Sequence, residues 1–410
     1  MVLLGARLGR REWGVLGVAL LFWVLDGYAT YVLLLTVVPS LHELLPPALL
    51  PMLPRYAGYL IALTLFGWAS GGILGGRVGD LLGRRRTMIL AVLVYGLFTG
   101  LSALATSWWM LGVLRLLTGI GIGAEWGVGT SLLQESWPNA ARTKGAGILQ
   151  AGFSLGALFA SGLFVLLSAH LGLSWRVLYG IGALPVILVA LVARQIPESR
   201  RWVAAIQGEG KLTKRALGSR HLVPALLVSL SITVGWWAIS SWVPTYAALL
   251  AHSVAAKAAL AGLAGVLYNV GEIFGCILFG FLADRLGRRP VTASYFLGAL
   301  VMTPVVFLLV KNPLVVVLLQ LLNGYLSGGL YSWYAIHPPE LFPTVLRATA
   351  ISLIFNSSRY LAMVGAIVSS LLVQAFGGLG LAATTFALVY LLGIVAIFLL
   401  PETRGEPLPD

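Results

Sequence analysis

The chain has 410 residues, of which 59% are hydrophobic and only 10% are charged. A soluble domain carries about 25% charged residues, so this composition excludes an ordinary soluble fold. The net charge of +13 does not indicate nucleic-acid binding, because the basic residues lie in short loops between apolar stretches. The single cysteine, Cys276, excludes an intrachain disulfide and a metal site built from cysteines.

Twelve apolar stretches of roughly 20 to 26 residues follow one another, each long enough to cross about 30 Å of hydrocarbon. A segment that spans a bilayer must satisfy its own backbone hydrogen bonds, so we expect an all-α membrane protein. No small-residue cleavage pattern follows the first stretch, which we therefore expect to be a retained span. The predicted spans are 13–38, 55–79, 87–106, 108–132, 145–168, 175–196, 222–247, 258–282, 291–310, 313–336, 348–375 and 380–400.

Three short motifs occur twice, and each second copy follows the first by 204 or 205 residues. Duplicated membrane units are typical of secondary transporters. We therefore predict two pseudo-symmetric six-helix bundles, 1–196 and 222–410, joined by a cytoplasmic linker at 197–221. The motifs are Gly-x-x-x-Asp-x-x-Gly-Arg-Arg from Gly76 and Gly280, Glu-x-x-Pro-x-x-x-Arg from Glu135 and Glu340, and Pro-Glu-Ser/Thr-Arg from Pro197 and Pro401.

The distribution of lysine and arginine predicts the orientation in the membrane. If the N-terminus is cytoplasmic, the loops and tails on that side hold twenty of the 27 basic residues. The outer loops and outer span ends hold only Arg55, Arg176, Lys257 and Lys311. Because cytoplasmic loops are enriched in basic residues, both termini are predicted to be cytoplasmic.

Five charged residues lie deep inside predicted spans: Asp26, Arg115, Glu125, Glu272 and Arg359. A charge at the bilayer centre costs at least about 2.5–3.5 kcal/mol, so each one needs a partner or a water-filled cavity. A structural ion pair and a role in transport are both open for each of them. Counting about 1.5 Å per residue from opposite membrane faces brings Asp26 and Arg115 to comparable depth.

This comparable depth suggests a hypothesis for proton coupling. A guanidinium beside a carboxyl group favours the ionised carboxylate. If Asp26 and Arg115 separate during transport, Asp26 would regain proton affinity and take up a proton. Glu125 could relay a proton or pair with a loop arginine, and Glu272 is a candidate second proton site.

The paired loop motifs, the twelve spans and the central polar loop resemble the major facilitator superfamily over nearly the whole chain. Arg115-Leu-Leu-Thr-Gly119-Ile-Gly121-Ile-Gly123 is similar to its span-4 motif. The resemblance implies that spans 1, 4, 7 and 10 line a cavity, and that the coupling pair of similar sugar/proton symporters maps onto Asp26 and Arg115. Close helix packing explains the glycines better than a dinucleotide-binding loop, since no strand precedes them.

Two subgroups of the superfamily compete. Ala124-Glu-Trp-Gly and Glu135-Ser-Trp-Pro look like the sialate/carboxylate proton symporters. Gln150 sits where sugar porters place a span-5 glutamine, but span 7 lacks their paired glutamines. The resemblance favours a proton-coupled symporter of a small organic anion, such as a monocarboxylate or sialic acid, over a sugar or polyol symporter. A drug exporter and a non-transporting receptor are less favoured.

Arg359 lies about eleven residues into span 11, and its mate in the repeat is Ser154. A planar guanidinium suits bidentate recognition of a carboxylate, so Arg359 is a candidate anion site. The alternative is that Arg359 pairs with Glu272 and only holds the C-terminal half together. Further candidates for substrate contact are aromatic and amide residues of the spans: Tyr28, Tyr31, Gln150, Trp236, Trp237, Gln320, Asn323, Tyr331 and Asn356.

The loop motifs have a different predicted role. In similar transporters such residues form a salt-bridge network that closes the cytoplasmic gate while the outer side is open. In the first copy Leu81 replaces the usual arginine after the aspartate, whereas the second copy keeps Arg285. The predicted gate residues are Asp80, Arg84, Glu135, Arg142, Asp284, Arg288, Glu340 and Arg347.

The remaining expectations concern cofactors, partners and location. The five histidines fall in loops or at span ends without zinc-type spacing, so we expect no metal site, no cofactor and no catalytic residues. The expected partners are a small-molecule substrate, protons and the lipid bilayer, without nucleic acid, and the chain is expected to be a monomer. We expect a multi-pass protein of the inner (plasma) membrane in a bacterium or archaeon.

Overall fold

The computed structural model describes residues 6–193, 195–207, 219–240, 242–250, 253–376 and 378–410. Residues 208–218 of the predicted linker therefore lie outside the described residues. The described part of the chain consists of helices and loops without a strand, which confirms the predicted all-α class.

Twelve membrane-spanning helices form two bundles of six, the N-terminal half (the first six) and the C-terminal half (the last six). Ten helices within the described ranges qualify as spans by length and composition, and the seventh and eleventh complete the set. The helices are α1 (Arg10–Leu44), α2 (Pro47–Leu82), α3 (Arg84–Leu104), α4 (Trp108–Ser136), α5 (Asn139–Ser168), α6 (Trp175–Val192), α7 (Leu222–Ser240), α8 (Val254–Leu286), α9 (Arg288–Leu309), α10 (Pro313–Leu341), α11 (Arg347–Phe376) and α12 (Leu379–Phe398).

The helices follow the predicted spans in number and order but not at every end. Span 7 differs in being divided: the sequence predicts one span over 222–247, but α7 ends at Ser240 and a second helix, Val243–Leu249, follows. Pro244 lies in the first turn of that second helix. Proline has no backbone N–H, and inside a continuous helix its ring would clash with the carbonyl group four residues earlier. It is tolerated in the first turn, so a new helix begins there.

One end of the bundle carries both described chain ends and the repeated motifs. We call it the motif face, formed by Asp80, Glu135, Asp284 and Glu340 with their adjoining loops. The N-terminal segment reaches it through Arg11, whose guanidinium donates to the Glu198 carbonyl at 3.0 Å.

The first and third motifs fold together in each half. The Glu198 carboxylate accepts hydrogen bonds from the backbone N–H groups of Arg84 at 2.9 Å and Arg85 at 3.2 Å, at the start of α3. Glu402 accepts the equivalent bonds at the start of α9, at 2.9 and 3.0 Å. A carboxylate at this position satisfies free helical N–H groups and complements the helix dipole. This contact explains why the two motifs recur together.

The turns that precede α3 and α9 require glycine. Gly83 has φ 98° and ψ 159°, and Gly287 has φ 104° and ψ 159°. This backbone region is essentially restricted to glycine. A Cβ on Gly83 would also collide with the Glu198 carboxylate, and one on Gly287 would lie 2.7 Å from Glu402 Oε2.

The glycines of the span-4 motif bring α4 close to α2. A Cβ on Gly119 would collide with the carbonyl oxygen of Thr64, and one on Gly123 would collide with that of Trp68. Small residues allow helix backbones to approach in this way inside a membrane. The predicted role of these glycines in helix packing is confirmed.

Replacing Gly83 with alanine should lower the free energy of unfolding by about 1–3 kcal/mol, because alanine rarely adopts this backbone conformation. The measurement is the Tm of the purified protein in detergent. Gly14→Ala is the matched control, since nothing lies within 4 Å of a Cβ added there. Equal Tm values for the two variants would contradict the requirement for glycine.

Candidate transport site

Glu135, near the end of α4, binds arginines of both halves. Arg84 of the N-terminal half donates to its two carboxylate oxygens at 2.8 and 3.1 Å. Arg347 of the C-terminal half donates to Oε1 at 2.9 Å. The three side chains are buried, so these ion pairs join the halves inside the protein.

Glu340 of the C-terminal half repeats this arrangement. It accepts from Arg288 of its own half at 2.7 and 2.9 Å and from Arg142 of the N-terminal half at 3.0 Å. Each half therefore supplies one glutamate, and each glutamate binds two arginines, one from each half. The network crosses the interface twice.

The two motif aspartates add further contacts between the halves. Asp80 accepts from Arg84 at 2.8 Å and from the backbone N–H of Thr349, at the start of α11, at 2.8 Å. Asp284 instead forms an ion pair with Lys144 of α5, at 2.8 Å. Leu81, which replaces the usual arginine, is half exposed, and the network forms without it. The structure therefore brings together all eight predicted gate residues.

The C-terminal tail covers the same network. Arg142 donates to the carbonyl of Glu406 at 2.8 Å, and Arg347 donates to the carbonyl of Pro409 at 2.7 Å. Leu408, between these two residues, is buried. These contacts could not be predicted from the sequence, because any residue supplies a backbone carbonyl.

A cavity of about 390 Å³ lies between the two halves. It follows α1 from Trp23 to Leu34 and also touches Val243, beyond α7. Between the cavity and the motif face, the rings of Trp126 and Phe355 stack with centroids 3.7 Å apart. Because buried ion pairs close the motif face, the cavity faces the opposite end of the bundle.

Nine of the nineteen residues that line the cavity are aromatic. Among the described residues, α1, α2, α5, α7, α8, α10 and α11 line it, whereas α4, one of the four helices expected to line it, does not. Glu272 and six of the predicted substrate residues line it: Tyr31, Gln150, Trp236, Trp237, Tyr331 and Arg359. Lining residues that the sequence analysis missed include Trp23, Thr30, Trp68, Phe153, Tyr268, Asn269 and Phe355.

Arg359 keeps one edge of its guanidinium free. The group lies between the rings of Trp68 and Phe355, at 4.5 and 3.9 Å from their centroids. One terminal nitrogen donates to the Phe355 carbonyl at 2.5 Å and to Asn356 Oδ1 at 3.4 Å. Nε and the other terminal nitrogen have no hydrogen-bond partner among the described residues. Arg359 also forms no ion pair with Glu272, so the alternative of a structural pair is wrong in this conformation.

Gln150 also presents a hydrogen-bond donor to the cavity. The indole N–H of Trp126 donates to Gln150 Oε1 at 3.0 Å, and that of Trp23 donates to the Gln150 carbonyl at 3.3 Å. An indole nitrogen can only donate, which fixes the orientation of the amide. The amide nitrogen of Gln150 is therefore the part of the amide that remains available to a ligand in the cavity, which Gln150 lines.

Asp26 and Arg115, the predicted ion pair, do not pair in this conformation. Arg115 donates to the Ala29 carbonyl at 3.2 Å and to Thr118 Oγ1 at 2.7 Å, and it lies 4.9 Å from the ring centroid of Tyr179. It thus holds α1, α4 and α6 together. The depth of Asp26 and Arg115 in the membrane does not indicate the direction in which each side chain leaves its helix.

Asp26 lies instead beside Glu125 of α4 and Tyr95 of α3, all of them buried. Neither carboxyl group forms an ion pair within the described ranges, so Glu125 does not pair with a loop arginine here. Neither residue lines the cavity. The N-terminal half therefore contains two neighbouring carboxyl groups without a cation.

Four predicted substrate residues lie outside the cavity, so their predicted contacts are corrected. The Tyr28 hydroxyl donates to the Leu178 carbonyl at 2.7 Å. Asn323 donates to Gln320 Oε1 at 2.9 Å, because residues three apart share a helix face. Asn356 supports Arg359 rather than facing the cavity. In each case the polar side chain forms a hydrogen bond within the protein.

Comparison with known proteins identifies the family. The Major Facilitator Superfamily profile matches residues 15–259 and 247–410. The chain belongs to the Major Facilitator Superfamily. This membership confirms the resemblance, and it makes the chain a membrane transporter rather than an enzyme.

Two relatives and one solved structure illustrate the similarity of this superfamily member to known proteins. The "Probable 4-methylmuconolactone transporter" of Cupriavidus pinatubonensis is 31% identical, over 85% of this chain and 82% of the relative. The sialic acid transporter NanX of Escherichia coli is 27% identical, over 81% of this chain and 82% of the relative. The proton:xylose symporter XylE bound to 6-bromo-6-deoxy-D-glucose has a TM-score of 0.81 at 21% identity, covering 97% of both chains. At that identity the likeness concerns the fold.

Removing Arg347 should open the motif face, because breaking a buried ion pair costs about 3–5 kcal/mol and shifts the balance between conformations. In a Cys276→Ser, Ser352→Cys background, Arg347→Ala should speed maleimide labelling of position 352 from the motif face at least several-fold. Ser352 is buried against Gly76 and Gly127 between the halves.

Arg289→Ala is the control for this experiment. Arg289 belongs to the same motif, but its guanidinium donates to the Phe398 carbonyl of its own half at 3.0 Å. Its removal should leave labelling unchanged. If both variants labelled at the wild-type rate, the network would not hold the motif face closed.

Proposed function

We propose that the chain is a proton-coupled symporter that carries a small organic acid by alternating access. The observation that carries the proposal is that Arg359 lines the cavity with its Nε unpaired among the described residues and without an ion pair there. A carboxylate accepts two parallel hydrogen bonds from one edge of a guanidinium group. The rings of Trp68 and Phe355 hold the guanidinium in place, which reduces the entropy lost on binding.

A neutral sugar explains the cavity less well. The aromatic wall and the Gln150 amide would suit a sugar, but a sugar would leave the buried charge of Arg359 without a counter-ion. An unpaired buried charge is strongly destabilising. An acid supplies the missing negative charge, and a relative named for sialic acid transport is consistent with this cargo.

We place the motif face in the cytoplasm, on the basis of the basic residues around it. Under this proposal the conformation described here is outward-facing, with its cavity open to the outside and both termini inside. The protein would act as a monomer in the inner membrane of a bacterium or archaeon.

For the proton, we propose the carboxyl pair of Asp26 and Glu125. Two neighbouring buried carboxyl groups with no cation beside them cannot both be ionised without a large cost. The pair can therefore hold a proton that transport releases.

A path of contacts joins this pair to the cavity. Trp126, next to Glu125 in the chain, binds Gln150 and stacks on Phe355, and Phe355 in turn lies against Arg359. A rearrangement around the carboxyl pair can therefore be transmitted to the bound substrate through the stacked rings of Trp126 and Phe355.

Arg359→Ala should weaken acid binding at least about 100-fold, because it removes two charge-assisted hydrogen bonds. Binding of acids to the purified protein is measured by calorimetry, with Tm as the check on folding. Arg359→Lys keeps the charge but loses the planar edge, so it should restore only part of the affinity. Acid binding at wild-type affinity in the alanine variant would contradict the proposed role.

Glu125→Gln and Asp26→Asn should each abolish accumulation driven by an inward proton gradient, while exchange of labelled substrate continues. Uptake and counterflow in proteoliposomes measure the two activities. Arg115→Lys is the informative control: we expect it to lower the Tm but to keep coupling, because Arg115 contacts neither carboxyl group. Loss of coupling in Arg115→Lys alone would restore the Asp26–Arg115 hypothesis.

A further inference from the structure

The cavity contains two side chains of opposite charge that do not bind each other. Arg359 of α11 and Glu272 of α8 both line it, with only 3% and 5% of their surfaces exposed. Neither forms an ion pair with any residue in the described ranges. Opposite charges that share a cavity without pairing each remain available to a ligand.

The halves meet along two seams, one on each side of the cavity. In the first seam α2 packs against α11, so closely that a Cβ on Gly76 would lie 2.6 Å from the Ala348 carbonyl oxygen. In the second seam α5 packs against α8, and a Cβ on Gly147 would lie 2.7 Å from the Cys276 carbonyl oxygen. Within the N-terminal half α1 packs on both α2 and α5, which separates the seams.

Each charged side chain belongs to a different seam. The Arg359 guanidinium lies over the ring of Trp68, a residue of α2 in the other half. Glu272 belongs to α8, about one turn before Cys276, whose carbonyl oxygen borders α5 of the other half. The cation and the carboxyl group therefore line the cavity from different seams, which we take as its two edges.

The space between these edges suits a ring or another compact apolar body. Tyr31 of α1 faces it from the N-terminal half, and Trp236 and Tyr331 face it from the C-terminal half. Aromatic side chains offer large apolar contact surfaces to such a body, while a few polar groups fix its orientation. A ligand that lies across the cavity can then reach both charged groups.

We propose that the substrate is an acid with a hydrogen-bond donor, a hydroxyl or an amino group, at the end remote from its carboxylate. The carboxylate binds the free edge of Arg359, and the donor binds the Glu272 carboxylate. This inference rests on the acid-binding role of Arg359 proposed above. A ligand held in this way contacts both seams and links the halves at two points.

The test compares acids that differ only at the remote end. Binding of 4-hydroxybenzoate, 4-methoxybenzoate and benzoate to the full-length protein is measured by calorimetry, together with the same series built on cyclohexanecarboxylate. Benzoate lacks the donor without adding bulk. A hydrogen bond to a charged group predicts that the wild type binds the hydroxylated member at least about tenfold more tightly than either companion.

Variants at position 272 assign this preference to one side chain. Glu272→Met has a similar length without a carboxylate, and it should reduce the preference to within about twofold. Glu272→Gln, a neutral acceptor, should give an intermediate preference. Thr30→Val is the matched control, because the Thr30 hydroxyl lines the cavity but donates to the Asp26 carbonyl at 2.9 Å.

The outcomes separate this inference from the proposed function. Acid binding that depends on Arg359 but shows no preference for the hydroxylated members would overturn the two-ended ligand alone. A preference that persists in Glu272→Met, or a preference for the methoxy members, would overturn it as well. If no acid in either series bound the wild type, both proposals would fall. Should Glu272→Met fail to fold, the wild-type preference and Glu272→Gln decide.

Discussion

Two buried glutamates, each shared between arginines of the two halves, are the interaction on which the rest of the structure depends. Glu135 and Glu340 are taken out of water, so their charges must be compensated by guanidinium groups at hydrogen-bonding distance. Because one of the two arginines on each glutamate comes from the opposite half, the halves cannot separate at this end without leaving charges unpaired. The cavity is consequently closed off at this end.

The buried charges at the motif face have partners, whereas several of those at the depth of the cavity do not. At the motif face nearly every buried charge has a partner, and the conformation is fixed by those pairs. Around the cavity and in the N-terminal half, Arg359, Glu272, Asp26 and Glu125 are buried without an ion pair to any described residue. Buried charge without compensation is costly, and proteins retain it mainly where function requires it. Under the proposed function, these groups are the sites where substrate and proton bind.

The apolar spans and the repeated motifs predicted the fold class, and the resemblance to the superfamily predicted that the motif residues form one salt-bridge network. The sequence was less informative inside the spans. Depth along a helix can be counted, but its rotation cannot, so Asp26 was matched with Arg115 rather than with Glu125. Gln320 and Asn323 satisfied each other on one helix face instead of facing the cavity. Aromatic lining residues such as Trp68 and Phe355 have no signal that separates them from aromatic residues that only pack.

The C-terminal tail has a practical consequence for work on this transporter. The carbonyl groups of Glu406 and Pro409 are ligands of the arginines that close the motif face. A fluorescent protein or affinity handle fused directly after Asp410 would pull on the segment that carries these carbonyl groups. Such a fusion would report expression levels faithfully, yet it would favour the open motif face in every assay of transport performed with it.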